Sequence, residues 1–148
     1  MGKYINGNKE GLWRESSHNG FEEGIYKNNK REGLWKEWDE DGKISSKTYY
    51  KEGFECGLYK EWWENGQLYC QGNFKYGSKI GLWKLWYESG ELHCESNYKY
   101  VEEFEISWED GFTREYWKNG KLQYEWVMKD GEEISKKSWD KNGNLKTK

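Results

Sequence analysis

Apolar and polar residues alternate along the chain in short runs, and glycine punctuates the runs at regular intervals. The segment Gly33-Leu-Trp-Lys-Glu-Trp-Asp-Glu-Asp-Gly42-Lys-Ile44 recurs as Gly57-Leu-Tyr-Lys-Glu-Trp-Trp-Glu-Asn-Gly66-Gln-Leu68. It recurs again as Gly81-Leu-Trp-Lys-Leu-Trp-Tyr-Glu-Ser-Gly90-Glu-Leu92, and more loosely as Gly111-Phe-Thr-Arg-Glu-Tyr-Trp-Lys-Asn-Gly120-Lys-Leu122. A first copy begins at Gly11-Leu-Trp-Arg-Glu, and a worn last copy is Ser138-Trp-Asp-Lys-Asn-Gly143-Asn-Leu145. The closing glycines stand at 20, 42, 66, 90, 120 and 143, so one unit is about 24 residues and there are six. The long interval before Gly120 marks an insertion near 101–110.

Each unit predicts a β-hairpin. A run rich in Trp, Tyr and Leu ends in Asn-Gly, Ser-Gly or Asp-Gly, which supply the positive φ that tight hairpin turns need. A second run follows and closes on a turn such as Lys51-Glu-Gly53 or Lys75-Tyr-Gly77. Helix is not expected, because turn glycines interrupt every window longer than about ten residues. The expectation is one domain over 1–148: a single elongated, twisted antiparallel sheet of consecutive hairpins, with a Lys-rich polar cap at 136–148.

Side chains alternate faces along a strand. Positions that agree between copies are expected in the core, which places Leu34, Leu58, Leu82, Trp38, Trp62 and Trp86 on the packed face. Ile44, Leu68, Leu92 and Leu122, with the rings Tyr50, Phe74 and Tyr98, are expected to join them. The opposite face then carries Trp13, Trp35, Tyr59 and Trp83 beside Glu15, Glu37 and Glu61, plus Trp63, Tyr87 and Trp117. An uncovered stripe of Trp and Tyr beside carboxylates has the composition of a protein-binding hot spot. The alternative is rings packed on one another across strands, which only stabilise the sheet. On the binding reading, Trp35→Ala with Trp83→Ala abolishes binding and leaves folding cooperative.

The repeated Gly-Leu-Trp-Lys-Glu-Trp-Tyr-x-x-Gly-x-Leu resembles the MORN repeat, and most nearly the bacterial variant of the YwqK antitoxin family. The resemblance runs from about Tyr4 to Leu145. It implies the hairpin sheet above and an antitoxin-like or immunity role. MORN repeats serve several unrelated roles, so the fold implication is the stronger one.

Composition sets limits on this picture. The 148 residues include no proline, eleven Trp, twelve Tyr and five Phe. Mean hydropathy is −1.31. Few aliphatics would flag disorder, but each covered ring buries on the order of 150–250 Å². The resulting core is thin, which argues against an enzyme built around a deep pocket. Net charge of −3 is not the basic footprint of a duplex-binding protein. No apolar run approaches a membrane span or a signal peptide. Three cysteines, Cys56, Cys70 and Cys94, are expected as free thiols in the reducing cytoplasm. Cys70 and Cys94 fall two strand spacings apart, too far for a disulfide.

Two further features stand out. Arg14, Lys36, Lys60, Lys84 and Arg114 form a basic ladder, read either as a phosphate or headgroup contact or as a solvated row paired with the neighbouring glutamates. The insertion holds Glu102, Glu103, Phe104, Glu105, Ile106, Trp108, Glu109 and Asp110, with no base. It is read either as a dedicated partner contact or as a longer strand with solvated acids.

Enzyme chemistry is not expected. His18 and His93 are far apart in repeat order, and no phosphate loop, zinc spacing or nucleophile elbow occurs. Asp39-Glu-Asp-Gly42 resembles a fragment of a calcium loop but reads better as a turn. No cofactor or metal is expected. The leading functional expectation is a protein-binding module that neutralises or scaffolds a toxin, nuclease or other effector. Alternatives are a phage or mobile-element inhibitor of a nucleic-acid-targeting enzyme such as a CRISPR effector, and a phospholipid-binding module. A homodimer through open sheet edges is also expected as an option.

Overall fold

Glycine, asparagine and aromatic periodicity together build a chain of hairpins, with no helix among the described residues. The structure, a computed structural model, describes residues 2–146; Met1, Thr147 and Lys148, the tip of the polar cap among them, lie outside the described residues. The strands are β1 (Lys3–Ile5), β2 (Asn8–Ser17), β3 (Gly20–Lys27), β4 (Lys30–Asp39), β5 (Ile44–Lys51) and β6 (Phe54–Trp62). They continue as β7 (Leu68–Lys75), β8 (Ser78–Trp86), β9 (Leu92–Val101), β10 (Ile106–Tyr116), β11 (Leu122–Lys129) and β12 (Glu132–Ser138). All twelve form one open sheet in chain order, with antiparallel pairing throughout. The expected fold class is therefore what the chain adopts.

The turns divide differently from the simplest reading. Turns along one side of the sheet are the two-residue kind with positive φ at both positions: Asn28-Asn29 (50°, 62°), Glu52-Gly53 (52°, 90°) and Tyr76-Gly77 (50°, 79°). Asn6-Gly7 (48°, 80°) is of the same kind, whereas the repeat-closing turns such as Asn65-Gly66 and Asn119-Gly120 lie along the other side and are longer. There only the glycine is left-handed: Gly66, at φ 84°, donates its N–H to the Trp63 carbonyl at 2.8 Å. The first glycine of each repeat lies within a strand at positive φ, as at Gly57 (82°), where three residues face one and the ladder bulges.

The packed face is the reverse of the expected one. Trp35 is 3% exposed and Trp83 2%, whereas Leu58 and Leu82 are each 38% exposed. Cross-strand register explains this. Trp35 lies opposite Thr48, Thr48 opposite Tyr59, Tyr59 opposite Gly72, Trp83 opposite Ser96, and Ser96 opposite Thr113. A Cβ on Gly24 would overlap the Trp35 indole, and one on Gly72 would overlap Trp83. Large rings thus lie flat over small residues, and where the ring shrinks to Tyr59 or Thr113 the partner grows to Thr48 or Ser96. Core positions here compensate in size instead of agreeing in identity.

We call this the inner face. Tyr50, Phe74 and Tyr98 belong to it, not to the Leu face: Tyr50 packs edge-on to Trp35 (6.2 Å) and Phe74 to Trp83 (4.8 Å). Cys70, 6% exposed, completes the inner core. The three cysteines are free thiols.

Candidate functional site

The sequence-based site divides into residues that build the sheet and residues that line a trough. Trp35 and Trp83 cannot meet a partner, because each is covered and donates its indole N–H inward, to the carbonyls of Ile25 (3.2 Å) and Asn73 (3.1 Å). Trp13 packs at 5.0 Å from Tyr4. Trp63, Tyr87 and Trp117 tie successive turns together. Trp63 donates to the carbonyl of Trp86 (3.1 Å), Tyr87 to that of Tyr116 (2.9 Å) and Trp117 to that of Trp139 (3.4 Å).

The β2–β3 and β4–β5 turns lack that staple, with Ser17 and Asp39 in the place of the ring. The Asp39 carboxylate turns back to accept the Lys43 N–H at 2.8 Å. Asp39 is therefore a turn cap and not part of a calcium loop. Among the described residues, no group of His, Cys, Asp or Glu is placed to hold a metal ion. With no ring to bridge them, the β4–β5 and β6–β7 turns leave a cavity of about 540 Å³ between them. Glu37, Asp39, Glu40, Asp41, Glu61 and Glu64 line it against a single cation, Lys43, with walls from Tyr59, Trp62 and Trp63.

The cavity continues along the inner face into a hollow of about 160 Å³, which shares Glu37, Ser46 and Tyr59 and adds Arg31, Trp35, Tyr50 and Glu55. Ser46 donates to Glu37 (3.2 Å) and Tyr59 to Glu61 (2.8 Å). Burial, and then that hydrogen bond, push the Tyr59 hydroxyl far up. Burial also raises the Glu55 carboxyl, against the pull of the Arg31 charge.

The neighbouring hairpins show what this hollow lacks. In three of them a cation of the chain itself caps the inner rings. Lys9 lies over Trp13 (4.9 Å) and Tyr26 (4.7 Å), Arg31 over Trp35 (4.1 Å) and Tyr50 (5.3 Å), and Lys79 over Trp83 (4.6 Å) and Tyr98 (5.4 Å). Lys9 is paired with Glu15 and Arg31 with Glu22. These cations sit at one register position: Arg31 opposite Tyr26, Lys79 opposite Phe74. Opposite Tyr50 the same position is Glu55. The ring pair Tyr59 and Phe74 (5.5 Å) therefore has a carboxylate where its neighbours have a cation. Glu37, Glu55 and Glu61 form no ion pair among the described residues. Sequence reasoning found Glu37, Tyr59, Glu61 and Trp63 but missed Glu55 and Asp39. Glu55 departs from Arg31 and Lys79 on the adjacent hairpins, although Glu109 and Glu133 hold the same position further along; Asp39 departs from Trp63, Tyr87 and Trp117, although Asp140 holds its position in the last turn.

The insertion lies elsewhere. It lengthens the β9–β10 hairpin, with Val101 opposite Ile106 and Trp108 opposite Lys99, and its turn is on the opposite side of the sheet from the cavity. Glu102 pairs with Lys75, and Phe104 is 59% exposed. Trp108 is half-buried, with a buried indole N–H that has no partner among the described residues. The expected binding residues thus do not form one surface.

The basic ladder is on the outer face and is part of a single cross-strand row. It runs Arg14, Glu23, Lys36, Lys47, Lys60, Gln71, Lys84, Glu95, Arg114, Glu125, Lys137. One end is paired: Arg114 contacts Glu125 at 2.7 Å and Glu95 at 3.6 Å, and Tyr116 donates to Glu95 at 2.8 Å. The middle is not: Lys36, Lys47 and Lys60 are cross-strand neighbours with no carboxylate between them.

A family model described as MORN repeat variant matches residues 31–52, 55–76, 79–100 and 109–130. Each match spans one hairpin, from β4–β5 to β10–β11, and together they cover more than half the chain. No curated protein matches it.

Proposed function

The chain belongs to the family of MORN repeat variants, and on that premise we propose that it neutralises or scaffolds a partner protein, in the manner of an antitoxin or immunity inhibitor. MORN repeats are generally non-enzymatic binding modules. The inner-face trough is the binding site, and its ligand is a basic segment of the partner. The observation that carries this reading is Glu55. It lines the hollow with Glu37 and Tyr59, at the register position where the two adjacent hairpins carry Arg31 and Lys79 over their rings. A partner's Lys or Arg fills that place, held by ring faces and carboxylates together.

The mechanism is steric and electrostatic occlusion. A groove that binds nucleic acid presents such cations, so an inhibitor of a nucleic-acid-targeting enzyme, phage-borne or not, is the second reading. The acid excess lining the cavity favours it. The test is capture from a bacterial lysate with the wild-type chain and with Glu37→Gln/Glu55→Gln/Glu61→Gln. The captured protein's activity is then measured with and without the chain. The reading expects one stoichiometric protein, lost in the triple variant and inhibited by the wild type. Competition by RNA or DNA selects the second reading. Equal capture by a folded triple variant removes the trough from the account.

A further inference from the structure

The outer face has no layer over it, yet it is built like a contact surface. The repeat leucine recurs there in the open: Leu12, Leu58 and Leu82 are exposed, with Ile25 and Tyr49 beside them on adjoining strands. Next to that apolar stripe run Lys36, Lys47 and Lys60, side by side on β4, β5 and β6. Like charges directly opposite across strands destabilise a sheet. None of the three has an ion-pair partner among the described residues, and the same row is fully paired at β9–β11. A stripe of exposed leucine beside an unneutralised lysine run calls for an occupant that is both acidic and apolar.

The chain carries a segment of that chemistry. The β9–β10 turn bears Glu102, Glu103 and Glu105 around Phe104, 59% exposed, and leads into Ile106, 49% exposed. Among the described residues, only Glu102 of the three acids has an ion-pair partner. We infer that the outer face of one chain docks the acidic β9–β10 hairpin of a second copy, with Phe104 and Ile106 against the leucine stripe and the glutamates over Lys36, Lys47 and Lys60. The hairpin and the lysines are separated along the sheet by about four strand spacings, near 19 Å. Two copies related by a two-fold axis between those points exchange both contacts and close as a dimer. The reciprocal pair brings both apolar hairpin tips and both lysine runs into one interface.

Sedimentation velocity of the full chain over rising concentration, at low and high salt, tests this. The expected result is a monomer–dimer equilibrium that salt weakens. Lys47→Glu/Lys60→Glu should raise the dissociation constant about tenfold or more, and Glu102→Lys/Glu103→Lys should do the same. Neither change acts by unfolding. The first exchanges one like-charge pair across β5 and β6 for another and sets an acid opposite Lys36, so its urea midpoint should hold while the dimer is lost. Mixing the two variants should restore a heterodimer by charge exchange. A wild-type chain that stays monomeric overturns the inference. So does a dimer that neither variant weakens, which moves the contact to the edges at β1 or β12. The glutamates of the inner trough take no part, so Glu37→Gln/Glu61→Gln leaves the dimer intact whatever becomes of partner capture.

Discussion

The two faces of one sheet are built from the same repeat, yet they solve opposite problems. On the inner face, indoles lie flat over Gly24 and Gly72 and are capped from above by Arg31 and Lys79. Each ring is covered without a second layer, because long cationic side chains and small cross-strand partners supply the cover. On the outer face the most regular residue of the repeat, leucine, stays exposed beside a charge row. Regularity of identity therefore marks the face that repeats a surface. Compensation of size marks the face that packs.

The comparison breaks first at Trp83. Trp83→Ala removes a ring that is 2% exposed and leaves a cavity over Gly72. It should cost about 3–5 kcal/mol, enough to threaten a chain with so thin a core. Urea unfolding followed by far-UV circular dichroism measures it. An unaltered midpoint would return Trp83 to the surface stripe that the sequence alone suggests, and with it the expectation that Trp35→Ala/Trp83→Ala spares the fold.

Gly72→Ala tests the same contact from below. The added methyl overlaps the Trp83 indole, and the ring is 2% exposed with Tyr59 and Phe74 packed against it. A loss of about 1–3 kcal/mol is expected from overpacking. The pair Gly72→Ala/Trp83→Tyr, which copies the Thr48 over Tyr59 arrangement, should recover part of it. Strictly additive losses would mean that the two positions do not pack as a size-matched pair.

How much of this was legible in the sequence follows from the kind of signal. The fold was legible, because a period of about 24 residues with a turn glycine at each end leaves hairpins as the only reading. The faces were not. Alternation sorted Leu58 from Tyr59 correctly but carries no label for inside, and agreement between copies pointed to the wrong side. The missing clue was the small column Gly24, Thr48, Gly72, Ser96, in step with the repeat and matched in size to Trp35, Tyr59, Trp83 and Thr113. The trough was half legible. Glu37 and Glu61 announced themselves as a repeated acid. Glu55 gains its meaning only from register, which sets it in the place that Arg31 and Lys79 hold elsewhere.

A weaker effect comes from alkali. Burial pushes the Cys70 thiol up to about 11 from an ordinary 9.0. The unfolded chain therefore gives up this proton first. The contribution is whole below about pH 9 and is lost as pH rises through 11. Burial, then Glu109, raises Tyr98 to about 12, and burial, then Glu95, does the same for Tyr116, which extends the decline upward. Urea midpoints should fall across this window, and Cys70→Ala should flatten the early part of the fall while lowering the starting value. The same slope with and without the thiol would mean that Cys70 is not protected on the inner face.

The smallest effect gives the sharpest contrast, because it comes from the residue next to Trp83. Leu82 is 38% exposed and points to the other side of the strand. Leu82→Ser removes little buried area, so its cost should stay within about 1 kcal/mol, several times less than Trp83→Ala. In the same sample the two positions should also part in the opposite sense. The folded Leu82→Ser chain should self-associate less, since the stripe that docks a second copy has lost one of its leucines. A stability loss as large as that of Trp83→Ala would mean that both sides of the strand are packed. That would require the leucine face to be covered within a single chain, and no docked hairpin would then be needed to account for it.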